Sequence, residues 1–472
     1  MKKVLLSAAV LLFAIGTLSA GTLVKDTAVY AETSLYTFEN LWIQSRYSVP
    51  VSFPADGFGL AGTNCRGMAG KDGKILICRR EATATSGIEK FMAKSNILVY
   101  DGLTGNLDKI IPVPDSLFHN KDAASDTLRA IGYPSNDIQV DAAGNVILMS
   151  MTTNLGVSPL AVAALKVDLT AGTVTQAKRL FNKAYPDLAT VRFDTFNVYG
   201  DMFGNGYFMA PVSGTSVGLS DMVIRWNVVN GVTNEEMVPI QIKKFVPGKT
   251  AKFNDTAPRV KPISETLFYL DGQQSYATLY DMDGNLIDSI PTSLFPASPG
   301  NNGVDEFTLG SHNFVVYSHA NTAVQPHSSW GIAELGAGQS LANMSRLYIF
   351  PKGGMGNTSN AVRTAVPYID VVGNSAYIYV YGQANGLAAY KLTLKPTGLS
   401  NYEMSNVAIS LVEGQVRISE AVTTVEIINV TGQKIASAKN VSAIAAPKTN
   451  GVYIVSVVDK NGAKKIQKVT IN

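Results

Sequence analysis

Residues 138–148, IQVDAAGNVIL, decide the fold. Residues 198–208, VYGDMFGNGYF, repeat their pattern: an apolar strand, an Asp, a turn that contains Gly-Asn, and a second apolar strand. Gly and Asn tolerate the positive φ that a hairpin loop needs, and the Asp side chain accepts hydrogen bonds from the turn backbone. Residues 71–77 and 371–378 are tighter versions of the same unit. The repeat predicts β-hairpins along most of the chain.

A second hairpin follows the first in several units, at residues 98–106, 166–173, 225–232 and 279–285. Two hairpins make four antiparallel strands, which is the content of one β-propeller blade. The strand after the first turn has one apolar centre in each unit: Ile77, Ile147, Phe208, Phe268, Val315 and Ile378. We therefore predict an all-β fold with a six-bladed β-propeller over residues 21–400, and a seven-bladed ring is the alternative.

The last unit lacks one strand before Leu394. Residues 35–46, with Trp42, have the pattern of a strand that supplies it from the N-terminal side and closes the ring. The unit at residues 140–146, in which Asp141 precedes Gly144 and Asn145, resembles the NHL-type propellers. That resemblance implies the same propeller architecture for the body of the chain.

The composition suits a large β protein and excludes two classes of function. Charged residues make up only 16% of the 472 residues, and the 39 Lys and Arg nearly balance the 36 Asp and Glu. This balance excludes a strongly basic nucleic-acid-binding protein and an acidic disordered chain. Residues 21–400 alone hold 29 basic and 31 acidic residues, so we expect no nucleic-acid partner for the body.

Residues 1–20 have the pattern of a signal peptide. Lys2 and Lys3 form a basic start, residues 4–15 are apolar, and residues 18–20 offer a cleavage site that ends in the small residue Ala20. An N-terminal core helix is the alternative. No later stretch has the roughly 18 apolar residues that a spanning helix needs. We therefore expect an exported chain with no transmembrane segment after signal removal.

From about residue 401 the strands become shorter. Alternating apolar residues predict strands at residues 407–411, 415–418, 424–430, 452–458 and 465–471. Turns are predicted at Gly414, Gly432, Gly451 and Gly462. This many short strands in about 70 residues predict a small Ig-like β-sandwich over residues 401–472.

Three elements occur in order at the C-terminus: residues 428–435, INVTGQKI, residues 451–455, GVYIV, and a Lys-rich last strand. Together they resemble the C-terminal sorting domain of the type IX secretion system. The resemblance implies a Gram-negative bacterium, the type IX machinery as a partner, and passage across the outer membrane. It also implies removal of the sorting domain and a cargo that is released or fixed to the cell surface. A permanent Ig-like module is the alternative.

Two cysteines, Cys65 and Cys78, flank the turn near residues 71–74. If the loop consists of residues 70–73, Ala69 faces Lys74 and Cys65 falls opposite Cys78. A cross-strand disulfide is then feasible, and an oxidising compartment favours it. Two unlinked buried thiols are the alternative, because nothing nearby indicates an activated thiol.

The first residues of the innermost strands surround the mouth of a propeller channel. These positions hold five polar residues, one from each of five blades: Arg66, Asp137, Asp194, Arg259 and Asp305. Arg and Asp together suit a polar ligand such as a sugar or a peptide. Pairing with one another or exposure to solvent is the alternative.

The three tryptophans are candidates for stacking on sugar rings. Trp330 lies in the segment SSWG at residues 328–331, which predicts a surface loop and a binding role. Trp42 and Trp226 lie in apolar strand patterns, so we expect them in the core.

The sequence predicts no metal site and no cofactor. Of the four histidines, His312 and His319 lie seven residues apart on one predicted strand, and an odd spacing places them on opposite faces. Residues 281–285, DMDGN, begin like a calcium loop but lack the distal Glu, so we interpret them as a hairpin turn. No nucleophile elbow, phosphate loop or zinc-protease motif occurs.

Two functions remain. The first is an exported propeller that binds a glycan or a protein through long polar loops at residues 320–339 and 353–360. The second is a propeller hydrolase or lyase that acts on extracellular polysaccharide or a small ester, which requires carboxylates or His at the mouth. Because no catalytic group of residues is visible, we expect a binding module rather than an enzyme.

Overall fold

The computed structural model describes residues 35–45, 65–81, 94–121, 128–130, 133–153, 155–156, 158–188, 190–213, 221–244, 258–272, 275–294, 302–320, 328–352, 354–355, 366–383, 385–395 and 405–471. The predicted signal peptide, His327 and most of the predicted loop at residues 353–360 lie outside these ranges. The described chain is all-β, and its only helices are short 3-10 turns at Asp115–Leu117, Pro186–Leu188, Thr292–Leu294 and Ala337–Gln339. None of the helices described could cross a membrane. The chain divides into two compact units, Met1–Leu394 and Lys395–Asn472.

The strands of the first unit form sheets in chain order, apart from β1 (Tyr36–Ser45). The first sheet contains β2 (Cys65–Lys71), β3 (Lys74–Glu81), β4 (Lys94–Asp101) and β5 (Leu107–Pro112). A two-stranded ribbon of β6 (His119–Lys121) and β7 (Leu128–Ala130) follows. The second sheet contains β8 (Tyr133–Val140), β9 (Val146–Met151), β10 (Leu160–Asp168) and β11 (Thr173–Lys183). The third contains β12 (Asn197–Gly200), β13 (Gly206–Pro211), β14 (Met222–Val229) and a broken outer strand, β15 (Val232–Thr233) and β16 (Val238–Gln241).

Three further antiparallel sheets complete the first unit. The fourth contains β17 (Arg259–Pro262), β18 (Leu267–Asp271), β19 (Thr278–Asp281) and β20 (Leu286–Ser289). The fifth contains β21 (Val304–Leu309), β22 (His312–Ala320), β23 (Ser329–Gly336) and β24 (Ser340–Phe350). The sixth contains β25 (Tyr368–Val372), β26 (Ser375–Gly382), β27 (Gly386–Leu394) and β1. Each of the six predicted apolar centres lies on the second strand of one sheet.

The N-terminal strand completes the sixth sheet, as predicted. β1 runs antiparallel to β27, with Tyr36 opposite Leu394 and Ser45 opposite Gly386. Trp42 of β1 is 2% exposed, and its indole Nε1–H donates to the Gly102 carbonyl in the first sheet at 2.9 Å. One strand from the beginning of the unit therefore joins its last sheet to its first. Trp42 and Trp226 are both core residues, as expected.

Among the described residues of the first unit, six apolar clusters hold the sheets together, and each lies between two consecutive sheets. The middle strands are largely apolar and buried, and VILMSM in β9 is buried at every residue, because both faces of these strands are covered. Each cluster contains residues from both of the sheets that it joins. In order, from the interface of the first and second sheets to that of the sixth and first, the clusters include Leu76 with Leu148, Val162 with Phe208, Val223 with Phe268, Tyr269 with Val315, Ile332 with Ile378, and Ile75 with Tyr379. Sheets packed face to face in a closed circle give the first unit a β-propeller-like fold.

The predicted hairpin turns are present and use the predicted chemistry. The Asp141 carboxylate accepts hydrogen bonds from the backbone N–H groups of Ala143 and Asn145, and Gly144 has a φ of 77°. The Asp281 carboxylate accepts from Asp283 N–H and from both the backbone and the side chain of Asn285. These contacts confirm that residues 281–285 form a hairpin turn.

The second unit is one antiparallel sheet that departs in part from the prediction. Its strands are β28 (Ile409–Val412), β29 (Gln415–Asn429), β30 (Lys434–Ala445), β31 (Gly451–Val458) and β32 (Lys464–Ile471). The two strands predicted at residues 415–418 and 424–430 are one long strand, and β30 was not predicted. The side chain of Gln467 in β32 donates to the Ile409 carbonyl in β28, so the first and last strands of the unit lie close together.

Candidate functional site

Four of the five residues predicted at the mouth come together in the structure. Arg66 lies in β2, Asp137 in β8 and Arg259 at the start of β17, while Asp194 precedes β12. β2, β8, β12 and β17 are each the edge strand of a different sheet. Side chains from the first four sheets therefore meet at one end of the first unit.

The inner part of this group is an ion pair between Asp137 and Arg259. Asp137 is 0% exposed and Arg259 is 3% exposed. Arg259 Nη1 donates to Asp137 Oδ2 at 3.1 Å, and the backbone N–H groups of Ile138 and Phe196 donate to the two carboxylate oxygens at 3.0 and 3.2 Å. Burial raises the pKa of Asp137, and the Arg259 guanidinium opposes that rise. Each oxygen of this carboxylate accepts at least one hydrogen bond.

The outer part centres on Asp194, which is 1% exposed. Arg192 donates to both of its oxygens, Nε to Oδ2 at 2.7 Å and Nη2 to Oδ1 at 2.6 Å. Arg66 Nη1 lies 3.5 Å from Asp194 Oδ1 and 3.1 Å from the Met151 sulfur. The hydrogen bond to Asp194 raises the pKa of Arg192, whereas burial lowers the pKa of Arg66.

The two parts touch, because Arg259 Nη2 donates to the backbone carbonyl of Arg66 at 3.2 Å. Gly67 allows β2 to approach Asp137 in β8, because a Cβ atom at position 67 would lie 2.3 Å from Asp137 Oδ1. We call the five residues Arg66, Asp137, Arg192, Asp194 and Arg259 the mouth cluster. Each of the four predicted residues in the mouth cluster contacts another charged side chain of the cluster.

Sequence reasoning missed Arg192, although a signal was present. Residues two apart in an extended segment project to the same side, so Arg192 and Asp194 were placed to pair. Tyr133, at the start of β8, also belongs to this region, because its phenol affects the pKa of both Arg66 and Arg192. The Arg80 guanidinium lies 4.6 Å from the centre of the Tyr133 ring.

Asp305 does not share these contacts. Its carboxylate lies 3.1 Å from Lys261 Nζ and also accepts the backbone N–H of Glu306 at 2.9 Å. Next to it, Glu306 accepts the hydroxyl of Tyr269 at 2.8 Å, and burial raises the pKa of Glu306. Asp305 therefore belongs to a contact between the fourth and fifth sheets rather than to the mouth cluster.

The prediction that Trp330 is an exposed stacking residue is wrong. Trp330 is 0% exposed and lies in the apolar cluster between the fifth and sixth sheets. Residues 329–331 of the segment SSWG begin β23 rather than forming a loop, and Trp330 pairs with Ser318 on one side and Phe350 on the other. An interior strand of a sheet that is covered on both faces buries its tryptophan.

The register predicted for the cysteine hairpin is also wrong. The loop has two residues, Asp72 and Gly73, with φ values of 52° and 70°, and Lys71 faces Lys74. After an irregularity between Cys65 and Met68, Cys65 lies opposite Arg79. The Cys78 thiol donates to the Gly67 carbonyl at 3.9 Å. Cys65 and Cys78 are therefore not directly opposed, and the disulfide stays a prediction.

The described histidines take part in local contacts. His312 Nδ1 lies 2.6 Å from Glu334 Oε1, and His319 Nδ1 lies 3.4 Å from the Ser329 hydroxyl. Burial lowers the pKa of His319 to about 4. Within the described ranges, no three His, Cys, Asp or Glu side chains are grouped so that they could hold a metal ion.

The two carboxylates of the mouth cluster are both engaged in hydrogen bonds. A glycosidase uses two carboxyl groups, one of which gives or takes a proton while the other attacks or activates water. In the mouth cluster, Arg192 engages both oxygens of Asp194, and both oxygens of Asp137 accept hydrogen bonds out of contact with solvent. The side chains with exposed surface are those of Arg66 and Arg192.

Comparison with known proteins supports the fold and leaves the function open. No family model and no curated protein matches the chain. Among solved structures, a DUF4623 family protein from Bacteroides eggerthii is similar, with a TM-score of 0.53 and 14% identity over 78% of this chain and 77% of that one. At this identity the similarity concerns the fold alone.

Two other solved structures align less well. They are a glycosyl hydrolase from Bacteroides ovatus, with a TM-score of 0.34 and 12% identity over 70% of this chain and 84% of that one, and a Penicillium chrysogenum alpha-L-arabinanase, with a TM-score of 0.41 and 9% identity over 70% and 93%. Their TM-scores are too low to bear on the function of this chain.

Proposed function

We propose that this chain is an exported six-bladed, NHL-like β-propeller that binds a glycan or protein ligand outside the cell, and that residues 401–472 are an Ig-like type IX sorting domain. The observation that carries the binding function is the mouth cluster. Five side chains from the first four sheets converge there, and two arginines keep exposed surface. A closed ring of sheets supports such a site because it fixes side chains that are far apart in sequence.

The alternative is a propeller hydrolase or lyase. It would need a carboxyl group that can exchange a proton with a substrate. Both aspartates of the mouth cluster are instead 0% to 1% exposed and hydrogen-bonded to arginines, which favours binding.

Binding and turnover can be measured on the same samples. The purified chain is incubated with a panel of neutral, uronate-containing and sulfated polysaccharides, and both retention and newly formed reducing or unsaturated ends are recorded. The proposal predicts retention of at least one polysaccharide, or of an extracellular protein, with no new ends. New ends would establish the hydrolase or lyase, and a chain that retains nothing would overturn the binding function.

The sorting function has its own test. Deletion of residues 401–472 should leave the body in the periplasm of a type IX-competent host, whereas the full chain should reach the cell surface or the medium. The second unit is a separate compact unit, so its deletion leaves the sheets of the first unit complete. Equal amounts of both chains outside the cell would contradict a sorting role.

A further inference from the structure

The second unit has an outer face, which points away from its apolar cluster. Strands β30, β29, β31 and β32 lie side by side in this order. Alternate residues of β29, β31 and β32 are buried in the cluster, and they include Val425, Ile427, Val455, Val457 and Val469. Because successive side chains of a strand point to opposite faces, the residues between them form the outer face.

The register of the strands arranges the outer face in rows. Each row takes one residue from β30, β29, β31 and β32 in turn, and neighbours within a row lie opposite one another. The first row is Lys434, Ile428, Ile454 and Lys468, the second is Ser437, Glu426, Ser456 and Ile466, and the third is Lys439, Thr424, Val458 and Lys464. With strands about 4.8 Å apart and alternate residues about 6.8 Å apart, the three rows extend about 14 Å in each direction. We call these residues the lysine patch.

The middle of the lysine patch offers apolar surface. Ile454 and Ile466 are 37% and 56% exposed, and Ile428, which lies opposite Ile454, is half-buried. The centre of a protein interface usually contains apolar side chains of this kind, with charged groups around them.

Lysines occupy the four corners of the patch. Glu426, the one carboxylate in the patch, accepts from Lys434 Nζ at 2.6 Å. Lys439 and Lys468, at opposite ends of one diagonal, are exposed, and neither forms an ion pair with a residue that the structure describes. These two lysines therefore present positive charge on either side of the apolar middle.

The rest of the unit has no such excess of basic residues. Residues 401–472 hold eight basic and five acidic residues. The lysine patch holds four of the basic residues and one of the acidic ones, so four of each remain elsewhere. On that remaining surface Arg417 lies 3.6 Å from Glu413. Charge complementarity therefore favours an acidic partner, and directs it to the lysine patch.

We propose that the lysine patch is the surface by which residues 401–472 bind the export machinery, through a protein that presents acidic side chains around an apolar contact. This proposal rests on the sorting function proposed above. A protein fits the patch better than a membrane does, because Ser437, Glu426 and Ser456 occupy the middle row. A face that enters a membrane surface has apolar residues in its middle and keeps charges at its sides.

The test is the amount of full chain that a type IX-competent host exports, measured outside the cell and in the periplasm. Changing both Lys439 and Lys468 to Glu should lower export at least tenfold, because like charges then oppose each other. Changing both to Gln should lower export about threefold, and changing both to Arg should leave it within about twofold of the parent. A purely structural role would not follow the sign of the charge in this order.

Matched controls lie on the same unit outside the lysine patch. Arg417→Glu combined with Lys448→Glu also reverses two exposed cations and should change export less than twofold. Ile454→Ser should lower export about threefold, because it removes apolar contact surface. Val412→Ser, at a similar 39% exposure in β28, should leave export unchanged. Thermal melting of each purified chain checks that the variants remain folded.

The remaining outcomes separate the lysine patch from the sorting function. If deletion of residues 401–472 blocks export and the double Glu variant is exported like the parent, the patch has no role and the sorting function stands. If the deletion itself changes nothing, the sorting function fails. Equal losses from the double Glu variant and its control would overturn the assignment to this face. Sedimentation of the purified chain with phosphatidylglycerol vesicles, lost in the double Glu variant, would overturn the protein partner in favour of a membrane.

Discussion

Asp137 in the innermost strand β8 and Asp141 just after it are held in different ways. Asp141, which follows the strand, is held by N–H groups of its own turn, two and four residues away. Asp137, inside the strand, is held by Arg259, which lies 122 residues away in sequence. Asp141 also accepts the N–H of Met202 in the next sheet. The turn aspartate therefore serves its own hairpin and one neighbouring turn, whereas the mouth aspartate depends on an arginine two sheets away. This difference explains why a short sequence motif predicts the turns but does not predict the contacts of the mouth cluster.

The largest effect is expected at the inner pair of the mouth cluster. Arg259→Met should lower the free energy of unfolding by about 3 to 5 kcal/mol, because it leaves the buried Asp137 carboxylate without its guanidinium. Lys261→Met is the control two residues along β17. Its partner Asp305 is 16% exposed, so the expected loss is about 1 kcal/mol or less. Unfolding in urea measures the loss of stability in both variants. Equal losses would contradict a difference between the mouth cluster and an ordinary ion pair.

A smaller effect is expected at the turns. Asp141→Ala should cost about 2 kcal/mol, since the carboxylate is buried and also accepts the N–H of Met202 in the next sheet. Asp281→Ala, in a turn whose carboxylate serves its own loop, should cost about 1 kcal/mol. Thermal unfolding compares the two variants. A larger loss from Asp281→Ala would show that contacts between adjacent turns add little.

An effect similar in size to that of the turns, but dependent on pH, concerns His319, near the mouth end of the fifth sheet. Its pKa is lowered from 6.5 to about 4, so the folded chain binds fewer protons than the unfolded chain between these values. The contribution of His319 to the free energy of unfolding is complete above pH 6.5 and is lost as the pH falls towards 4. The loss is about 1 to 2 kcal/mol after screening by solvent. His319→Gln should flatten unfolding stability across this pH range, whereas Ser329→Ala, which keeps the imidazole, should not. The same slope in His319→Gln would contradict this assignment.

Much of the fold could be predicted from the sequence because its signals are local. The turn at Asp141 and Gly144 and the strand pattern of residues 35–46 can each be read within a short segment. β30 was missed because KIASAKNVSAIA mixes Lys, Ala and Ser with few large apolar residues. The cysteine register failed because the loop is shorter than expected and an irregularity follows it before Cys65.

The candidate site could be predicted only in part. The position of Arg66, Asp137, Asp194 and Arg259 at the start of each innermost strand was sufficient to place them together. Which side chain pairs with which depends on distances across the ring, and these are not encoded in any short motif. Trp330 shows the opposite error: a local Ser-Ser-Trp-Gly pattern suggested a loop, and packing between two sheets buries the residue.

The most direct test asks whether Asp137 and Arg259 act as one unit across the mouth. A double-mutant cycle combines Asp137→Leu, Arg259→Met and the double variant, with unfolding in urea as the measurement. We expect a coupling energy of about 2 to 3 kcal/mol, with the double variant more stable than the sum of the single losses implies. Single losses that add to within about 0.5 kcal/mol would contradict a mouth cluster built by contacts between separate sheets.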